Sequence, residues 1–213
     1  MRATAVLPVK RFAAAKQRLA AGLEDERREA VVEAMLGDVL EAIGGARSIE
    51  RAIVVSDEQR AVALAEASGT LVVPDPGEGG HSGAALAGVA GAVERGAECV
   101  VLLPGDCPLL DPRDVDRLLT GMPDPFVAVV PDRHGTGTNA LALAPPDAIR
   151  PAFGEGSRER HVAAARAAGV PYAVEELPSL ALDLDTPADV VALTRELGRR
   201  SRRARRTAKA LGL

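Results

Sequence analysis

Glu98-Cys99-Val100-Val101-Leu102-Leu103 runs directly into Pro104-Gly105-Asp106-Cys107-Pro108. An apolar, β-branched run without polar alternation predicts a strand buried on both faces. Gly105 and Pro108 then shape a tight, exposed turn. The turn delivers Asp106 to the carboxyl end of the strand, which is where an open α/β sheet receives its ligand. The plain alternative is that Asp106 only caps the next helix.

Outward from this stretch, strands alternate with helices. Residues 3–9 read as a buried strand ending in a proline, and 10–23 as a basic, alanine-rich loop. Helical periodicity over 24–43 stops at Gly44-Gly45, and a strand follows at 51–56. Asp57 is a plausible cap for a helix running to about Ser68. A short strand at 71–73, a glycine-rich loop at 75–83 and an alanine-rich helix over 84–95 come next. Beyond the opening stretch, a helix is expected with its cap near Asp111. Strands at 126–131 and 139–144 are joined by the loop 132–138, and a helix covers 157–168. Short strands at 172–175 and 181–184 precede a last helix that begins at Pro187, a position where proline is welcome. The alternation predicts a three-layer α/β domain with a mostly parallel sheet.

The bulk numbers agree with one domain. The chain has 213 residues, 47% of them hydrophobic, enough for a core without staples. Aromatic residues make up 2%, too few for a single-strand nucleic-acid binder that stacks bases on rings. Two cysteines, Cys99 and Cys107, fit neither a zinc site nor a CxxC redox motif, and a reducing cytoplasm is expected. The N-terminus lacks the length and cleavage site of a signal peptide, and no apolar run approaches the roughly 20 residues that span a bilayer. No membrane partner is therefore expected.

Net charge is −4, unevenly spread. Residues 195–209 hold eight Arg or Lys against Glu196, and the rest of the chain carries −11. We set a domain at 1–197 apart from a basic C-terminal tail at 198–213. A solvated or frayed terminus is the expected state of that tail, with nucleic-acid contact as the alternative.

Asp183 and Asp185 stand two apart in Leu182-Asp183-Leu184-Asp185-Thr186-Pro187. In an extended stretch both carboxylates face the same way. Held close, they need a cation or full solvation, and oxygen ligands without Cys or His suit Mg²⁺ or Mn²⁺. One of Asp183, Asp185 and Thr186 is expected to cap the last helix, leaving Asp183 free for metal. Lys10, Arg11, Lys16 and Arg18 follow the first strand, at a junction that commonly binds phosphate. No Walker A or GxGxxG sequence occurs there, so side chains would neutralise the phosphates; a solvated cationic loop is the alternative. Gly77, Gly79, Gly80 and Gly83 allow close approach to a ligand. Gly135-Thr136-Gly137-Thr138 and Phe153-Gly154-Glu155-Gly156-Ser157 are two further anion-loop candidates, with Ser157 alternatively an N-cap. His81 and His134 lie in candidate loops, whereas His161 is expected to face solvent or pack on its own helix. Cys107 is a poor nucleophile beside a carboxylate.

Taken in order, several of these segments resemble one family. They are Leu7-Pro8-Val9-Lys10 with Ala15-Lys16-Gln17-Arg18-Leu19, Gly105-Asp106-Cys107-Pro108-Leu109, Gly135-Thr136-Gly137-Thr138-Asn139, Phe153-Gly154 with Ser157 and His161, and Leu182-Asp183-Leu184-Asp185-Thr186-Pro187-Ala188-Asp189. The set is similar to the phosphoenolpyruvate and 2-phospho-L-lactate guanylyltransferases of coenzyme F-420 biosynthesis. These are Rossmann-like nucleotidyltransferases of the nucleotide-diphospho-sugar transferase type. The resemblance implies transfer of GMP from GTP to phosphoenolpyruvate, or alternatively to 2-phospho-L-lactate, with release of pyrophosphate. It implies Asp106 and Asp183 as Mg²⁺ ligands with Asp185 close by, and Thr138, Gly154 and Ser157 on phosphoenolpyruvate. It also implies Pro8, Lys10, Lys16, Arg18, Gly80, Ser82 and Gly105 on the nucleotide, with Lys10, Lys16 and Asp106 as the catalytic set. A homodimer and hand-off of the product to a downstream transferase are further implied partners. One departure is clear: many relatives carry Gly-Leu-Asn where this chain has Gly80-His81-Ser82. Two rival readings remain. One is a nucleotidyltransferase for a sugar phosphate or molybdopterin-type acceptor. The other is a non-catalytic nucleotide or nucleic-acid binder led by the arginine tail.

Overall fold

A computed structural model of the chain describes residues 2–16, 18–19, 24–197 and 203–213. Among them, β1 (Ala3–Pro8), β2 (Ile49–Val55), β3 (Leu71–Val73), β4 (Cys99–Leu102), β5 (Phe126–Pro131), β6 (Thr138–Ala144) and β7 (Tyr172–Val174) form one sheet. The order is β3-β2-β1-β4-β6-β5-β7. Every pairing is parallel except those of β6, which runs antiparallel between β4 and β5. The mostly parallel, three-layer expectation holds.

The helices are α1 (Asp25–Gly44), α2 (Gln59–Ala67), α3 (Gly80–Glu94), α4 (Pro112–Leu119), α5 (Ser157–Ala167), α6 (Pro187–Leu197) and α7 (Arg205–Leu211). Alternate residues of β1 feed two cores. Ala5 and Leu7 pack with α1, α2, α4, α6 and α7, whereas Val6 packs with α3 and α5. Burial on both faces explains why the strands read as continuous apolar runs. Helix α3 lies very close to the sheet because Gly88 has no side chain. A Cβ there would stand 2.3 Å from Val6 Cγ1 and 2.8 Å from Val55 Cγ2. No helix among the described residues is long and apolar enough to cross a membrane.

Several local expectations are corrected. Glu58, not Asp57, caps α2, its carboxylate accepting from the Arg60 N–H at 3.3 Å. Helix α3 starts at Gly80, so Gly80, His81 and Ser82 form its first turn rather than a loop. Residues 181–184 form no strand; Leu184 N–H makes one bond to the Asp106 carbonyl, at 3.2 Å. Within the basic loop, Phe12 starts a short 3-10 turn and is buried, as is Leu19.

The division at 197 is also revised. Residues 198–202 lie outside the described residues, but 203–213 dock on the domain. Ala204, Thr207 and Leu211 are buried. Asp38 of α1 accepts from the Thr207 N–H at 2.8 Å, the Thr207 hydroxyl at 2.7 Å and the Arg206 N–H at 3.1 Å. Arg203 pairs with Asp111 and Arg206 with Glu41. Positive charge made the segment look solvated, but its small and apolar residues share one helical face. Deleting 203–213 should lower unfolding free energy by about 3–6 kcal/mol, from one leucine's burial and the bonds to Asp38. Urea titration of the truncated chain measures it.

Candidate active site

All the loops that carry candidate residues reach one edge of the sheet. The parallel strands β1, β3, β4, β5 and β7 send their following loops there. Because β6 is reversed, its first residue, Thr138, starts at the same edge. Residues 145–156 then return the chain across the domain, so that α5 also begins there.

A cleft of about 280 Å³ opens at this edge between β1 and β4. Pro8, Lys10, Lys16, His81, Gly105, Asp106 and Asp185 are among its lining residues. Lys16 is its centre. The ammonium pairs with Asp106 at 2.5 Å and also with Asp185. Its backbone adopts φ +54°, a left-handed conformation that an L-residue holds only when its surroundings impose it. The side chain is 11% exposed. Burial opposes the charged ammonium, but the charge and hydrogen bond of Asp106, joined by Asp185, outweigh it and raise the lysine's pKa. Asp183 moves the other way for a carboxylate's charge: burial first, then the Asp106 charge, raise its pKa. Neither Asp106 nor Asp185 caps a helix. Asp111 caps α4, accepting from the Arg113 N–H at 3.0 Å. Exposed Arg18 is not among the cleft-lining residues.

The start of α6 is held by a residue that our reading of the sequence passed over. Asp189, 1% exposed, accepts from the Thr186 N–H at 2.8 Å, the Thr186 hydroxyl at 2.9 Å and the Asp185 N–H at 3.0 Å. It also pairs with Arg133 from the β5–β6 loop. The side-chain cap expected of Asp183, Asp185 or Thr186 is therefore supplied by Asp189, which frees both candidate carboxylates. The Thr-x-x-Asp spacing was the available signal. Cys107 is buried, its Sγ–H donating to the Leu180 carbonyl at 3.7 Å. Burial, then the Asp106 and Asp183 charges, push its pKa well above the ordinary thiol value, so it is no nucleophile.

The other predicted residues gather around His161. Against expectation this imidazole is fully buried. Its Nε2 accepts from the Ala152 N–H at 2.9 Å, and its Nδ1 lies 3.1 Å from the Thr138 hydroxyl. Phe153 packs edge-on between His161 and His81, with centroid distances of 5.2 Å and 5.0 Å. Ser82 accepts from the Phe153 N–H at 2.9 Å, so it braces this loop rather than lining the cleft. Gly154 adopts φ +109°, open to glycine and to few other residues. Gly156, not Ser157, occupies the cap position of α5. Ser157 begins the helix, and its buried hydroxyl has no hydrogen-bond partner among the described residues. Arg158 joins the two anion loops, its N–H donating to the Thr136 carbonyl at 3.2 Å and its guanidinium to the Gly135 carbonyl at 3.0 Å.

Burial, helped by the Arg160 charge, lowers the His161 pKa from 6.5 to about 4. Between those values the folded chain binds fewer protons than the unfolded one. Its contribution to stability is therefore complete above about pH 6.5 and is lost as pH falls toward 4, by on the order of 3 kcal/mol. Urea unfolding at pH 7.5 and pH 5 should show a smaller loss in His161→Gln than in the parent chain.

Two groups of side chains thus meet across Phe153: a charged one at β1 and β4, and a small, hydroxyl- and glycine-rich one at β6 and α5. Sequence comparison matches residues 3–205 to the guanylyl transferase CofC-like family. The chain is 48% identical over 196 residues to the phosphoenolpyruvate guanylyltransferase of Conexibacter woesei, covering 91% of this chain and 87% of that one. It is 42% identical over 205 residues to the 3-phospho-D-glycerate guanylyltransferase of Phenylobacterium zucineum, covering 93% of each. In fold it is similar to a Desulfovibrio desulfuricans G20 protein provisionally described as a nucleotide-diphospho-sugar transferase. That match has TM-score 0.77 at 17% identity, over 99% of this chain and 94% of the other. This chain belongs to the CofC-like guanylyltransferase family.

Proposed function

We propose that this enzyme transfers GMP from GTP to phosphoenolpyruvate and releases pyrophosphate. The observation that carries the reading is the pairing of a lysine-centred acidic cleft with a separate group of hydroxyls and glycines braced by Arg158 and Arg160. The named activity of the Conexibacter woesei relative supports the acceptor.

In this reading Pro8, Lys10, Lys16 and Gly105 face the nucleotide. Thr138, Gly154 and Ser157 face the acid, whose anionic groups need hydrogen-bond donors. A phosphate oxygen of the acid attacks the α-phosphorus of GTP; a P–O bond forms as the bond to the β-phosphate's bridging oxygen breaks, and pyrophosphate departs. The attacking oxygen is already ionised near neutral pH, because a phosphate monoester's second pKa is about 6. No general base is required. Catalysis then rests on positioning and on cationic charge at the phosphates, where Lys16 and Lys10 act.

Mg²⁺ fits the donor set. Asp106 and Asp185 already share one cation, the Lys16 ammonium, and Asp183 feels the Asp106 charge. Among the described residues, however, no three ligands stand together as a ready-made cluster. Asp106 and Asp183, with Asp185, would hold the ion, which would offset negative charge on the phosphates.

Pyrophosphate release from each nucleoside triphosphate with phosphoenolpyruvate, 2-phospho-L-lactate or 3-phospho-D-glycerate tests the proposal. GTP with phosphoenolpyruvate should give the fastest release. Silence with GTP and all three acids would sink it. Faster turnover with 3-phospho-D-glycerate would instead align the chain with its Phenylobacterium relative.

A further inference from the structure

We propose that His161 is a positioning residue: it turns the Thr138 hydroxyl so that its proton points at the phosphorylated acid. The inference rests on the acceptor reading given above and adds a residue to it. The backbone N–H of Ala152 can only donate, so Nε2 of His161 must accept at 2.9 Å. A neutral imidazole carries one N–H, and that N–H is therefore on Nδ1. Nδ1 stands 3.1 Å from Thr138 Oγ1, so the ring donates and the hydroxyl oxygen receives. The hydroxyl has a single proton, which must then leave in another direction.

The alternative tautomer would reverse this. A hydroxyl donating to Nδ1 would show lone pairs to an anion and repel it. The backbone bond to Nε2 forbids that arrangement. Full burial of the ring and the edge of Phe153 at 5.2 Å keep water from competing. Burial also keeps the ring neutral, since its pKa is lowered to about 4. Ser157 lies one helical turn before His161 on the same face of α5, with a buried hydroxyl that has no partner among the described residues. Thr138 thus offers a hydroxyl proton whose direction His161 sets, and Ser157, on the same helix as His161, is a second candidate donor.

Four variants and one spectrum test the idea. In His161→Leu both ring bonds vanish. KM for phosphoenolpyruvate should rise about ten- to hundredfold, the range of a hydrogen bond to a charged group, while KM for GTP stays put. His161→Gln can accept from Ala152 and donate to Thr138, and should restore most of the loss. Thr138→Val should raise KM for the acid to a similar extent. In the Thr138→Val background His161→Leu should then add less than about twofold, because it acts through a group already removed. If Thr138→Val raises KM for the acid and a folded His161→Leu does not, the positioning role is refuted and the acceptor reading stands. If Thr138→Val changes nothing, the acceptor reading itself falls. Nitrogen-15 spectra of the wild-type imidazole decide the matter if His161→Leu does not fold. A neutral Nδ1–H tautomer at pH 7.5 is expected; an Nε2–H tautomer or an imidazolium overturns the proposal.

Discussion

An Asp183→Asn enzyme should release pyrophosphate at least about 10²-fold more slowly than the parent, yet unfold at a higher urea concentration. The two effects have one cause. Burial and the Asp106 charge raise the pKa of Asp183, so its ionised form is disfavoured in the folded chain. A carboxyl raised in this way binds its proton more tightly when folded, and its drain on stability grows as pH rises past the unfolded value. At neutral pH the asparagine removes that drain. It also removes a hard anionic oxygen from the site proposed for Mg²⁺. A carboxylate kept where it costs stability is the pattern expected of a functional group. Unchanged turnover in Asp183→Asn would refute its place in the site, and a lower unfolding midpoint would refute the electrostatic argument.

Asp106→Asn should be the more damaging substitution, with turnover down by about 10³-fold, and here stability should fall too. Asp106 is the stronger of the two partners that raise the Lys16 pKa. Asparagine leaves that largely buried ammonium with Asp185 as its remaining carboxylate, at a cost of about 1–2 kcal/mol. Folding should persist, because the backbone bond from Leu184 to the Asp106 carbonyl does not depend on the side chain. Circular dichroism and urea titration establish the fold, and pyrophosphate release gives the rate. An active Asp106→Asn enzyme would end the assignment. Opposite stability changes in two variants that both lose activity would separate the functions of the two carboxylates from general damage.

The regular parts of this fold were legible because buried strands and an alanine-rich helix leave long-range patterns. The run at β4 and the turn holding Asp106 are examples. Reversal of β6 was less legible, since apolar alternation has no direction; only the short, helix-free loop between β5 and β6 hinted at a hairpin. Residues 181–184 alternate like a strand, but Leu180 and Leu184 bury without a ladder to join. His161 was misread because a helical histidine that follows Arg158, Glu159 and Arg160 looks exposed. Its neighbours Ala152 and Thr138 lie outside its own helix, 9 and 23 residues away, and only the fold brings them to its two nitrogens. Asp189 was missed for the opposite reason: two more conspicuous aspartates stood just before it. The candidate nucleotide and acid residues were reached largely through several spaced motifs together, since each loop alone has an ordinary turn as its alternative.

The reversed strand has an evolutionary consequence. It hands the edge proposed to face the acid to β6 and α5, elements that share little with the loops of β1 and β4 around the lysine. Phe153, with His81 on one flank and His161 on the other, is the seam between the two. On the proposed reading, substitutions on the far side of that seam retune which small acid is accepted while the residues around Lys16 are inherited intact. Relatives named for different phosphorylated acids at similar identity to this chain are what such a division of labour would produce.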